Sequence, residues 1–142
     1  MKLLPAALFL LGPIMASASP AFTSHTPVDN FRLPTFTKDG RRSMLIQGSE
    51  AIVAAEHIDL VNLNLTLFKG DAHNTVETVI LSPAATAEPA TETVHGSGFV
   101  RMVSNDLEVT GTGWTYDHRL KKVSLAAHAR VVFHAQLPDI LK

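Results

Sequence analysis

Hydrophobic and polar positions alternate with a period of two along most of the chain after the first three dozen residues, and that period predicts strands. The clearest run is Val123 to Phe133. Val123, Leu125, Ala127, Ala129, Val131 and Phe133 fall on one face, with Ser124, Ala126, His128, Arg130 and Val132 on the other. Ser43 to Gln47 predicts a short strand, and Ala51 to Ile58 reads as a strand despite its alanine-rich spacing. From Ile58 and Leu60 the apolar series changes phase at Val61 and continues as Leu63, Leu65 and Leu67, as a β-bulge or tight bend requires. Thr75 to Leu81, Val94 to Ser104 and Leu107 to Tyr116 complete the predicted strands, the last two joined at Asn105-Asp106.

The intervening segments carry turn chemistry. Lys38-Asp39-Gly40 and Lys69-Gly70-Asp71 are turn signals, and Asp117 to Lys122 reads as a charged hairpin loop. Ser82 to Thr93 has two prolines and no large apolar side chain, which predicts a surface loop or a disordered segment. Residues 19–36, with Pro20, Pro27 and Pro34, read as an extended lead-in to a single domain over 37–142. No stretch after residue 18 repeats apolar residues at helical spacing. The expected fold class is therefore all-β and antiparallel, closed as a barrel, sandwich or jelly roll.

The amino terminus has a different character. Lys2, an apolar run from Leu3 to Ile14 and Ala16-Ser17-Ala18 have the layout of a secretory signal peptide over residues 1–18. The expected location is the periplasm, reached through that signal. An N-terminus that is kept rather than cleaved would instead anchor the chain at the inner membrane.

Composition narrows the function classes. The chain has 142 residues, a net charge of −1 and no cysteine, so thiol catalysis, thiolate metal sites and a cysteine lipid anchor are excluded. No basic stripe is present to meet the phosphates of a nucleic acid. Seven histidines raise a metal hypothesis, but only His128 and His134 share a strand face. Six residues of strand separate them by about 20 Å at roughly 3.3 Å per residue, too far for one ion. No G-x-S-x-G elbow occurs, and Gly96-Ser97-Gly98 lacks the following helix of a phosphate loop. No enzyme activity and no cofactor are expected.

Gly96-Ser97-Gly98-Phe99 recurs as Gly111-Thr112-Gly113-Trp114, each inside a predicted strand. Glycine pairs so placed mark a bulge or sharp bend over which the aromatic packs. The repeat, the polar turn between its copies, Leu107 to Asp117, the basic turn Arg119 to Lys122 and the strand Val123 to Phe133 together resemble the periplasmic β-jellyroll of the lipopolysaccharide-export proteins, the LptC and LptA (OstA-like) group. Pro34-Thr35-Phe36, Asp39-Gly40, Gly48 and Ala51 resemble the entry of such domains.

The resemblance implies a folded, V-shaped β-jellyroll with an apolar interior for lipid A acyl chains. Its implied partners are lipopolysaccharide, other jelly-roll export proteins joined by strand-edge pairing, and the inner-membrane transporter. A cleavable N-terminus departs from the LptC pattern, so the LptC-like and LptA-like roles both stay open. From the strand pattern, Leu63, Leu65, Leu67, Leu125, Ala127, Ala129, Val131 and Phe133 are expected to face the lipid-binding interior. The small side chains of Ala127 and Ala129 fit acyl chains, and fit packing under Trp114 or Phe99 equally well. The competing expectation is a structural or adhesive β-sandwich of the cell envelope with no lipid cavity.

Overall fold

A computed structural model describes residues 25–134. The signal peptide expected over residues 1–18 lies outside the described residues, as does the start of the lead-in. Seven strands follow in chain order: β1 Thr26–Phe36, β2 Arg42–Val53, β3 Ile58–Phe68, β4 Val76–Glu88, β5 Thr93–Ser104, β6 Leu107–Asp117 and β7 Lys122–Phe133. Each pairs antiparallel with the next, giving one open sheet in the order β1 to β7. No described residue is helical.

Every strand is interrupted near its middle, and the interruptions line up. Asn30 in β1, Asn62 in β3 and His128 in β7 have φ of 52°, 54° and 54°, and Gly113 in β6 has φ of 69°. Asparagine and glycine tolerate that left-handed geometry best, which locates the bend at those residues. The pairing register shifts between Leu81 and Thr86 in β4 and between Gly96 and Phe99 in β5. At these points the core-cluster side chains of β2 pass from even to odd positions (Met44, Ile46, then Ala51), and those of β3 from Ile58 and Leu60 to Leu63 and Leu65. The result is a crease across the sheet, separating an upper leaf, bounded by the turns at 37–41, 69–75 and 105–106, from a lower leaf.

The leaves fold face to face. In the upper leaf the register aligns Leu33, Ile46, Leu65, Ile80, Met102, Val109 and Val131, one from each strand. The lower leaf has a matching row of Thr26, Val53, Ile58, Ala87, Val94, Tyr116 and Val123. Members of both rows share a single buried cluster with Met44, Leu60, Leu63, Val100 and Trp114. Burying each large aliphatic side chain contributes about 1.5–3 kcal/mol, so this shared cluster is what holds the leaves together.

Several boundaries differ from the sequence pattern. Residues 26–36, expected as a lead-in, are the edge strand β1, where prolines are admitted because, among the described residues, one side of the strand has no ladder to feed. Ser82 to Thr93, expected as a loop, is the second half of β4, the turn at 89–92 and the first residue of β5. Ala85 and Ala87 are buried there because a closely packed leaf needs small side chains, and Pro83 falls at the crease, where the ladder is already broken. Ala51 to Ile58 is not one strand. It spans the end of β2, the turn at 54–57 and the start of β3.

Candidate functional site

The upper-leaf row is dry at its centre and open at one end. Leu65 and Ile80 are 0% exposed, Met102 and Val109 are half-buried, and Val131 is 48% exposed. The neighbouring row ends in the same way, with Leu107 half-buried and its partner Phe133 71% exposed. The cause lies in which parts of the leaves overlap. Upper-leaf Leu33, Met44 and Ile46 line a cavity of about 110 Å³ together with lower-leaf Ala87, Pro89 and Val94. Among the described residues, the upper-leaf halves of β6 and β7 line no such enclosed cavity. Met102, Leu107, Val109, Val131 and Phe133 therefore form an apolar floor open to solvent.

The eight residues singled out in the sequence divide between two environments. Leu63 and Leu65 lie in the closed core and Leu67 packs half-buried against it. Leu125 also packs against the core, and it lies over Gly111, where a Cβ would stand 3.2 Å from both of its terminal methyl carbons. Ala127 and Ala129 are exposed at the crease of β7. Val131 and Phe133 belong to the open floor. The even alternation read for β7 is thus not one continuous face: Thr112 pairs with Ala127 and Thr110 with Arg130, so an extra residue is accommodated beside His128.

Only one of the two aromatics in the glycine repeat packs over its gap. Trp114 crosses Gly96, where a Cβ would stand 2.6 Å from the indole Nε1, and Nε1 donates to Ser82 Oγ at 3.3 Å. Phe99 is exposed.

A polar clasp closes one end of the fold. Tyr116 is buried in the lower leaf with its hydroxyl 2.9 Å from His118 Nδ1, and His118 Nε2 lies 2.7 Å from Ser43 Oγ on the upper leaf. Burial, with Glu77 and Asp117 nearby, pushes the Tyr116 phenol up to about 12. Burial and the Lys121 ammonium hold the His118 imidazole below its ordinary value. A phenol O–H donating to Nδ1 leaves Nε2–H to donate to Ser43, with the ring neutral.

Beside the clasp is a mouth of about 560 Å³ lined by side chains of both leaves, among them Leu67, Phe68, Met102 and Val123, with Lys69 and Lys121 at its edge. Met102 belongs both to this mouth and to the row that continues through Val109 to Val131. Sequence pattern did not single out Met102, Leu107 or Val109, although the alternation of β6 carries the last two. Nor did it single out the clasp, whose members come together only when the sheet folds.

Three of the other histidines pair with carboxylates: His57 with Asp59, His95 with Glu88 and His134 with Glu108, at 3.6, 3.4 and 3.6 Å. Among the described residues no three His, Cys, Asp or Glu side chains converge as metal ligands would. No protein-family model matches the sequence, and no curated protein matches it.

Proposed function

We propose that this protein is a periplasmic lipid-transfer component of lipopolysaccharide export. Lipid A acyl chains lie along the apolar interior of a folded, V-shaped β-jellyroll, and the domain docks edge to edge with similar domains and with the inner-membrane transporter. The observation that carries this reading is the row from Leu65 to Val131, which runs without a break from a dry core onto an open apolar floor. A fold whose only task was its own stability would gain by covering those side chains, since exposed apolar patches mark interaction sites.

The two ends of the sheet support the docking part. Among the described residues β1 and β7 each have one unpaired side, and an exposed sheet edge accepts a strand from another chain. The closed core between β2 and β5 favours the second reading, a structural or adhesive β-sandwich of the envelope, which has no use for the floor at β6 and β7.

Val131 and Val132 are neighbours on opposite faces of β7, and both are exposed. Val131→Asp is expected to weaken binding of purified lipopolysaccharide at least tenfold, and Val132→Asp to leave it near wild type. Equal binding by both variants, in folded protein, would favour the sandwich.

A further inference from the structure

The mouth between the leaves joins an apolar throat to two lysines that, among the described residues, pair with no carboxylate. Lys69 stands at the end of β3 on the upper leaf and Lys121 in the β6–β7 turn on the lower leaf, both exposed at the edge of the same opening. Among the described residues neither forms an ion pair with a carboxylate, and the same holds for Lys38, Arg41 and Arg42 in the adjoining turn and strand. Arg119, by contrast, is turned away to Glu92 and the Ala90 carbonyl.

The acids nearby are largely engaged in holding their own turns. Asp71 accepts from the Thr75 amide and hydroxyl, and Asp117 accepts from the amides of Arg119 and Leu120. Among the described residues Glu77 is the one carboxylate that lines the opening, and it forms no ion pair with either lysine. Lys121 Nζ lies 3.3 and 3.4 Å from the ring nitrogens of the neutral His118, and neither lysine sits on a carboxylate among the described residues. Two such ammonium groups at one apolar opening make a poor water-filled mouth and a good seat for an anion that arrives attached to hydrocarbon.

We propose that Lys69 and Lys121 form a headgroup site for a phosphorylated amphiphile, with the phosphate held at the mouth and the chains running past Met102 onto Val109 and Val131. The proposal rests on the lipid-binding reading and adds a polarity to it: the charged end of the ligand lies at the clasp and its apolar end along β6 and β7. Register supports this path, because Met102, Val109 and Val131 are successive partners on adjacent strands and give an unbroken apolar track roughly 10 Å long at about 4.8 Å per strand.

The test compares dodecyl phosphate, dodecyl maltoside and inorganic phosphate by isothermal titration against the full chain. Wild type is expected to bind dodecyl phosphate about tenfold more tightly than dodecyl maltoside, with the difference shrinking in high salt. The double variant Lys69→Gln/Lys121→Gln should lose that preference and keep its binding of the maltoside. Lys122→Gln, exposed on β7 outside the mouth, should change neither.

A preference for the phosphate that survives in the double variant would overturn the headgroup site and leave the apolar groove standing. Inorganic phosphate binding as tightly as dodecyl phosphate would overturn it as well, since the mouth would then be a simple anion site. Failure of wild type to bind either amphiphile would instead remove the lipid-binding reading on which the proposal rests.

Discussion

Ser43 Oγ and His118 Nε2 lie 2.7 Å apart although 75 positions separate them in the chain and they stand near opposite ends of the sheet as its strands pair. The contact exists because the sheet folds along its crease, so it reports the folding directly. His118→Ala should destabilise the protein by about 1–3 kcal/mol, since it strips a partner from both Ser43 and the buried Tyr116 hydroxyl. Ser43→Ala should cost about 1 kcal/mol. In a urea-denaturation cycle the double variant should lose less than the two single losses together, and strict additivity would mean that the clasp does not bind the leaves.

The same clasp makes stability fall on the acid side. The folded His118 imidazole sits below its ordinary value of 6.5, through burial first and the Lys121 charge second, so the unfolded chain takes up its proton more readily. His118 therefore adds stability that is complete above pH 6.5 and is lost as pH falls from there through the folded value. Asp71, held low by hydrogen bonds from Thr75, and Glu108, held low by Arg101, act only below the ordinary carboxylate range. Midpoints of urea denaturation should drop between pH 7 and 5 in the wild type and change less in His118→Gln. Parallel curves for the two proteins would contradict this.

The crease tolerates a side chain at one glycine of its repeat and not at another. A Cβ at Gly96 would stand 2.6 Å from Trp114 Nε1 and 2.9 Å from the Ala84 carbonyl, whereas one at Gly98 meets nothing within 4 Å. Gly96→Ala should cost about 1–3 kcal/mol by overpacking and shift the emission of the single tryptophan. Gly98→Ala should leave both nearly unchanged. A Gly96→Ala protein with native emission and stability would mean that Trp114 does not lie over that position.

Leu65 and Val131 lie on one row but answer a carboxylate differently. Leu65 is fully buried, and an aspartate there has no partner for its charge, so Leu65→Asp should unfold the domain. Val131→Asp, on the open floor, should keep native circular dichroism and stay within about 1 kcal/mol of wild type. Equal loss of structure in both would place Val131 in a closed core.

The strand content was legible because alternation is local: β5, β6 and β7 end within a residue or so of where polar turns break the pattern. The bend in β3 was legible too, since a phase change at Val61 leaves odd and even leucines that one flat strand cannot bury together. β1 and the second half of β4 were not. Their prolines and small residues read as loop, and only the edge position of β1 and the packed leaf around Ala85 and Ala87 give those residues a place in a sheet. The candidate site was half legible for the same reason. Alternation finds which residues face inward, but which inward residues stay uncovered depends on how the leaves overlap. That separates Leu63 and Leu65 from Val131 and Phe133.

The central claim is that lipid runs along the inner face of β7. Photo-crosslinking from a benzophenone side chain at Val131, Val109 or Val132, in cells making lipopolysaccharide, tests it most directly. Adducts with lipopolysaccharide from Val131 and Val109, and none from the outward-facing Val132, are the predicted result. No adduct at either inner position in folded protein, or equal adducts at all three, would contradict it.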